Sequence, residues 1–271
     1  MPRPPVQPFT ALVLAGRRNQ TDPVAQEAGH SHKVLVPIAG IPMLVHVLRV
    51  LRATPSVCRI VVSTDDATAF DSLPDVQTLT DAGVLSFHSS KGSPSASVLD
   101  YFQGLSQGEP LLVTTADHPL LTTEMVSYFC NATVQSRADI IIGVVAASLF
   151  RACYPHSKRS FIPLRGESFC GTNLFALRTP RAAAAAKFWE HAGHFRKRPW
   201  RLISTFGVKN TLLLALKRLD LDAAIPRVSQ VLGARIGVVQ MPFSECAIDV
   251  DNLDDLATVT RILTKREEVK I

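Results

Sequence analysis

The chain has 271 residues, a length between one large domain and two small ones. With 46% hydrophobic residues it can bury a sizeable core, which excludes a disordered, collagen-like or disulfide-scaffold chain. Its net charge of +6 is uneven: residues 151–218 hold 14 Lys/Arg against two acids, Glu167 and Glu190, or +12, so the rest carries −6. A basic block of this kind suits an anionic partner. A phosphorylated small molecule, a nucleic acid and a membrane surface all qualify, and charge does not choose among them. No apolar run reaches about 18 residues, so no transmembrane helix is expected. Met1-Pro-Arg-Pro-Pro followed by the interrupted run Phe9 to Ala15 makes a poor secretory signal. The five cysteines, Cys58, Cys130, Cys153, Cys170 and Cys246, contain no CxxC pair. Free thiols in a reducing cytoplasm are expected, and a zinc site is not.

Residues 1–8 read as a loose tail. Phe9-Thr-Ala-Leu-Val-Leu is a short apolar run that stops at Ala15-Gly16, as a buried parallel strand does. Residues 17–32 are polar and irregular. Met43, Leu44, Val47, Leu48 and Leu51 recur at helical spacing, with Pro42 in the first turn, where its missing N–H costs nothing. Strands are expected at Arg59–Ser63, Val84–Phe87, Pro110–Thr115 and Asp139–Val145. Helices are expected at Ala96–Leu105 and Thr122–Ser136, the second capped by Thr122 with Glu124 in its first turn. Strands alternating with helices imply a parallel α/β sheet. A strand at Asn173–Leu177 follows. Thr179-Pro180 caps a helix through the alanines at 182–186, whose composition speaks of propensity and not of chemistry. Residues 198–232 read as helical, broken near Gly207 and Pro226. A strand at Arg235–Met241 and an amphipathic helix with Leu253, Leu256, Val259, Ile262 and Leu263 on one stripe close the chain. The stretch from about 180 to 232 reads as a helical insertion on one α/β domain spanning 1–271.

Four stretches could carry chemistry. In Leu14-Ala15-Gly16-Arg17-Arg18, small residues at a strand end leave backbone N–H groups open to phosphates, and the arginines with Lys33 could neutralise a triphosphate. An ordinary strand-to-loop turn is the plainer alternative. Asp117 follows the expected strand Pro110–Thr115, so it lies in the crevice where open α/β sheets bind ligands, and its hard oxygens suit Mg²⁺. Its alternative is a turn cap before Pro119. Asp249 and Asp251 would share one face of an extended segment, while Asp254 and Asp255 suit a helix N-terminus. The loop from Lys91 through Gly92 to Ser97 could meet a ligand edge or serve as a linker. His30-Ser-His32 reads as a solvated loop, because no third metal ligand is spaced nearby, and His118 as pocket lining beside Asp117. The chain has no Walker A loop, no GxGxxG and no GxSxG elbow or Ser-His-Asp order.

Together these stretches resemble the nucleotidyltransferases of the molybdenum-cofactor guanylyl- and cytidylyltransferase type, a group that also includes sugar- and polyol-phosphate nucleotidylyltransferases. The residues that carry the resemblance are Val13-Leu-Ala-Gly16-Arg17, then Lys33-Val-Leu-Val-Pro37-Ile-Ala-Gly40-Ile-Pro42-Met43-Leu44. Asp117-His-Pro119-Leu120 with Thr122, Gly92 to Val98, and Asp249-Val-Asp251-Asn-Leu-Asp-Asp255-Leu256 complete it. The resemblance implies a three-layer Rossmann-like α/β sheet of the GT-A nucleotide-diphospho-sugar transferase type. It implies Mg²⁺, an NTP (GTP or CTP) and a phosphorylated small-molecule acceptor: a cofactor such as the molybdenum cofactor precursor, a sugar or a polyol phosphate. By match, Leu14, Ala15, Gly16 and Arg17 would cradle the nucleotide and Lys33 would hold a phosphate. Gly92 and Ser97 would meet the base. Asp117 and Asp251 would hold the metal, with Asp249 a second choice. The chain departs from the pattern in lacking Ser-Arg-Met-Gly before Lys33, in its longer loop 17–32, and in Ile41 where Lys is usual.

A glycosyltransferase of the same fold, using a nucleotide-sugar, is the alternative, because Asp249-Val-Asp251 has the DxD spelling; pyrophosphate against NDP release separates the two. A nucleic-acid-binding role is not expected, since the basic block lacks interleaved aromatics or a recognition motif. Arg196, Lys197, Arg198 and Arg201 around Pro199-Trp200 suggest contact with the acceptor or a peripheral contact with anionic lipid, against a solvated helix end.

Overall fold

The computed structural model describes residues 8–17, 22–106, 108–157, 159–192, 207, 212–213 and 216–268. Arg18 and the Arg196–Arg201 cluster lie outside the described residues.

Strand β1 (Phe9–Leu14) is the buried parallel strand its apolar run predicts, and every residue from Phe9 to Val13 is enclosed. The polar loop after it is less irregular than its composition suggests. Helix α1 (Pro23–Glu27) forms there because Asp22 Oδ1 accepts from Val24 N at 2.9 Å and Ala25 N at 3.2 Å, while Pro23 presets the first turn. A two-residue hairpin, β2 (Pro37–Ile38) and β3 (Ile41–Pro42), turns through Ala39 and Gly40, both at positive φ. Pro42 is therefore the cap of α2 (Met43–Ala53) and not a residue of its first turn. The chain continues with β4 (Val57–Thr64), α3 (Pro74–Asp81), β5 (Leu85–Ser89), α4 (Pro94–Gly104), β6 (Leu111–Thr115), α5 (Thr123–Gln135) and β7 (Ile140–Ala146). Thr122 caps α5 as expected, its Oγ1 accepting from Met125 N at 3.2 Å. Ser93 caps α4, which starts two residues before the expected Ala96.

One strand breaks the parallel pattern. After α6 (Ala147–Cys153) and β8 (Ile162–Pro163), β9 (Ser168–Leu177) runs antiparallel to β6, β7 and β8. Helix α6 begins at the residue after β7 ends, so the chain does not cross back to the sheet's far edge. Phe169 enters beside Ala146 instead, and β9 must run the other way. The sheet order is β10-β7-β9-β6-β1-β4-β5, where β10 is Ile236–Gln240. β10 joins the sheet's edge parallel to β7.

Helices cover both faces, which makes three layers. Val47, Leu48 and Leu51 of α2 pack with Phe129 of α5 and Val259 of the last helix, α9 (Leu253–Glu268). On the other face Val98 of α4 packs with Ala182 and Ala185 of α7 (Ala182–Ala192). The alanine run is thus part of the layer that covers this face of the sheet. Thr179 does not cap it. Its hydroxyl donates to Asp139 Oδ1 at 2.8 Å, where Asp139 also takes Arg235 N at 2.8 Å. Helix α8 (Leu221–Leu232) runs through Pro226 where a break was expected, and Arg227 covers the Ala223 carbonyl at 2.5 Å. No described helix is long and apolar enough to cross a membrane, and no described cysteine is paired.

Candidate active site

The strand ends of β1 and β6 and the segment after residue 247 meet around one ammonium group. Lys33 Nζ lies 2.6 Å from Asp117 Oδ2, donates to the Val250 carbonyl at 2.9 Å, and stands 3.8 Å from Asp251 Oδ1. Burial alone would lower the Lys33 pKa. The Asp117 charge and hydrogen bond, helped by Asp251 and Asp22, outweigh it and hold the pKa above the ordinary value. The backbone joins the same parts, since Val250 N donates to the Asp117 carbonyl at 2.9 Å. A cavity of about 640 Å³ opens there, lined by Leu14, Ala15, Gly16, Arg17, Lys33 and Asp117, and by Asp251. Asp117 Oδ1 is buried and has no hydrogen-bond partner. The residues expected at the phosphates and the metal are therefore together, except Asp249.

Asp249 faces elsewhere. Arg159 grips its carboxylate in a close ion pair and donates to its carbonyl at 2.8 Å, and Asn173 Nδ2 donates to its Oδ2 at 2.9 Å. Burial would raise its pKa, but the Arg159 charge and hydrogen bond hold it below the carboxylate range. Residues 248–250 join no sheet, and Asp249 and Asp251 meet different partners, Arg159 and Lys33. With both oxygens engaged, Asp249 ties its segment to Arg159 and Asn173.

The base-reading pair also changes. Ser97 is buried, and its hydroxyl accepts from Lys91 N at 2.8 Å and donates to the Ser93 carbonyl at 3.1 Å. It braces its own loop and presents nothing to a ligand. Gly92 has open space around it and lies outside the cavity lining. The cradle at the end of β1 is latched as well. Ala15 N donates to the Ser63 carbonyl at 2.8 Å, Arg17 N donates to Asp65 Oδ1 at 3.0 Å, and Arg17 Nε donates to Asp65 Oδ2 at 2.7 Å. Close packing explains Gly16: a Cβ there would sit 3.1 Å from Ser90 Oγ.

Several site residues escaped the sequence reading. Asp65 follows a parallel strand as Asp117 does, so the same positional rule could have found it. His32 is buried, lines the cavity and packs on Phe70 at 5.7 Å, unlike the solvated loop expected. Burial, then the Arg17 charge, lowers its pKa against the pull of Asp65 and Asp66. Arg159 and Asn173 left no local signal. His118 lies in the core and not in the pocket, with burial pushing its pKa down to about 4. Ser63, His88 and Asp100 form a hydrogen-bonded chain of 3.1 and 2.9 Å, but the Ser63 hydroxyl is in a buried residue and offers no exposed nucleophile.

A family model, the MobA-like NTP transferase domain, matches residues 11–207. The chain belongs to this family. Its MobA-like part therefore includes Lys33 and Asp117, while the Asp249–Asp251 segment lies beyond the match and is brought in by the fold. A hypothetical transferase from Thermus thermophilus is similar at 26% identity and a TM-score of 0.74, covering 92% of this chain and 99% of its own. Two more distant structures share the fold. The 4-diphosphocytidyl-2C-methyl-D-erythritol synthase of Anaerococcus prevotii has 11% identity, a TM-score of 0.56, and coverage of 95% of this chain and 96% of its own. CMP:2-keto-3-deoxy-manno-octonic acid synthetase complexed with CTP has 14% identity, a TM-score of 0.59, and coverage of 96% and 99%. No curated relative matches the sequence. This MobA-like chain thus has the Rossmann-like fold of nucleotidyltransferases.

Proposed function

We propose that this NTP transferase moves an NMP unit from GTP or CTP onto the phosphate of a small-molecule acceptor and releases pyrophosphate, with Mg²⁺ as cofactor. The observation that carries the reading is the convergence of Lys33, Asp117 and Asp251 in the lining of the cavity. The donor set fits the metal. Asp117 Oδ1 is a buried hard oxygen without a partner, and Asp251 stands across the same ammonium. Mg²⁺ takes one or two carboxylates and completes its shell with phosphates and water. Among the described residues no group of three or more His, Cys, Asp or Glu converges, which suits that sparse set and not an all-protein cage. When bound between Asp117 and Asp251, the metal would supply charge neutralisation at the phosphates.

An acceptor phosphate oxygen attacks the α-phosphorus in line. The new P–O bond forms as the bond from the α-phosphorus to the bridging oxygen breaks, and its electron pair leaves on pyrophosphate. A phosphomonoester is largely a dianion at neutral pH, so the attacking oxygen needs no general base. Positioning and charge neutralisation are then the main demands. Lys33 turns from Asp117 to a phosphate oxygen, and Arg17 does so after releasing Asp65. Each exchanges one anionic partner for another, so neither cation is left unpaired.

The test is to incubate the protein with each of the four NTPs, Mg²⁺ and a panel of phosphorylated acceptors, and to measure pyrophosphate. Pyrophosphate that depends on both an NTP and an acceptor is expected. Free NDP released from a nucleotide-sugar, with no pyrophosphate from any NTP, overturns the reading in favour of glycosyl transfer.

A further inference from the structure

A second opening of about 360 Å³ adjoins the cavity through Leu14, Pro94 and Thr115, which line both. It runs between α4 and α7 over the sheet. Its walls are Val98 of α4, Val113 of β6, Phe175 and Leu177 of β9, and Ala185 and Ala186 of α7. It reaches Ile140, the first residue of β7, which pairs with Leu177. Asn173 and Leu177 both line it, four residues apart on one strand, so it follows the sheet for about 13 Å.

Among the described lining residues, the polar ones gather at one end. Ser93, Ser95, Thr115 and Asn173 stand at the end nearest the Lys33 centre, and Thr115 Oγ1 is buried without a partner. Asn173 is at positive φ, one residue past Thr172, which packs against Gly143 where the β7–β9 register shifts. Bulges of this kind re-aim side chains beside functional sites. Beyond that end the lining side chains of the described residues are hydrocarbon.

This division selects the occupant. A sugar, polyol or nucleobase carries donors and acceptors around its whole rim. Buried along Val113, Phe175, Ile140 and Leu177, each would lose its water with no partner in return. A hydrocarbon gains from the same walls. We infer that the groove holds the body of the acceptor, and that the acceptor is the phosphomonoester of an apolar alcohol, a prenyl or medium-chain alkyl phosphate with its phosphate toward Lys33. The inference rests on the transferase reading only for the word acceptor; the groove and its ligand class stand on geometry.

The test reads binding apart from turnover. The full-length protein is titrated calorimetrically with butyl, hexyl, octyl and geranyl phosphate, below their aggregation limits, and with glycerol 3-phosphate. Affinity should rise with chain length by about fourfold per added methylene until the groove is full. Ala186→Phe fills the groove and should remove most of that gain while leaving NTP affinity within about twofold. Phe175→Ser, which adds no bulk, should weaken octyl and geranyl phosphate by about tenfold or more. Affinity independent of chain length, or the same length dependence in both folded variants, overturns the inference. Turnover of polyol phosphates with no binding of alkyl phosphates overturns it and leaves the transferase reading standing. Length-dependent binding lost in the variants, with no pyrophosphate from any NTP and acceptor, upholds the groove and overturns the transferase reading.

Discussion

Lys33 Nζ and Asp117 Oδ2 stand 2.6 Å apart with their side chains largely enclosed, so the ammonium occupies the position between carboxylates where a divalent cation would act. On the proposed reading, lysine and metal would compete for Asp117 until a phosphate takes the lysine. Lys33→Met should raise the KM for NTP by roughly tenfold or more, the loss of one charge-assisted hydrogen bond. It should also tighten Mn²⁺ binding without nucleotide, because the competing cation is gone. Titration with and without NTP separates the two effects. An unchanged KM would leave Lys33 a structural ion pair.

Asp117→Asn and Asp251→Asn should each lower kcat by about 100-fold or more. The melting temperature should change little in Asp251→Asn, whose carboxylate is exposed, and fall in Asp117→Asn, which leaves the enclosed Lys33 ammonium without its close partner. Amide replacement keeps volume and removes charge. Chelation should stop pyrophosphate release, and added Mg²⁺ should restore it. It should leave the melting temperature little moved, because Lys33 already pairs with the enclosed Asp117 and Asp251 is exposed to water. Wild-type turnover in either variant would remove that residue from the mechanism.

Asp249→Asn is expected to behave differently. Arg159 and Asp249 are both largely enclosed, and removing one partner leaves the other as an uncompensated charge. Asp249→Asn and Arg159→Gln should each cost about 3 kcal/mol in denaturant unfolding. The double variant should cost less than the two singles together. Simple additivity would show the pair to be uncoupled.

Asp139 gives the fold a pH dependence of known sign. Burial raises its pKa, but hydrogen bonds from Arg235 and Thr179 outweigh that and bring it down to about 2. A carboxylate lowered by folding stabilises above its unfolded value, and that contribution is lost as pH falls through the folded one. Stability should therefore decline from about pH 4 to pH 2. Asp139→Asn should flatten this slope and cost on the order of 2 kcal/mol at neutral pH. An unaltered slope in unfolding curves between those pH values would assign the acid sensitivity elsewhere.

Local order was legible because its causes are local. Apolar runs that stop at small residues located β1 and β6, helical spacing located α2, and Thr122 capped α5 as read. Position after a strand also marked Asp117. Helix α1 was missed because its cap lies in a stretch without apolar periodicity, where Asp22 and Pro23 were the signals. The length of the loop 17–32 was visible; its use as a cavity wall was not.

The chain by itself determined a parallel-rich α/β architecture, and its resemblance to a known family added the three layers and placed Lys33, Asp117 and Asp251 as candidates for one centre. Burial of periodic apolar residues and the crevice at parallel strand ends require only neighbours in sequence and one general rule of sheets. Only the tertiary structure decided that β9 runs antiparallel, that Arg159 takes Asp249 across 90 residues, and that Asp65 latches Arg17 across 48. It alone opened the apolar groove between α4 and α7. Pairings at such separations depend on which strand ends meet once the sheet closes, and no spacing within a segment records that.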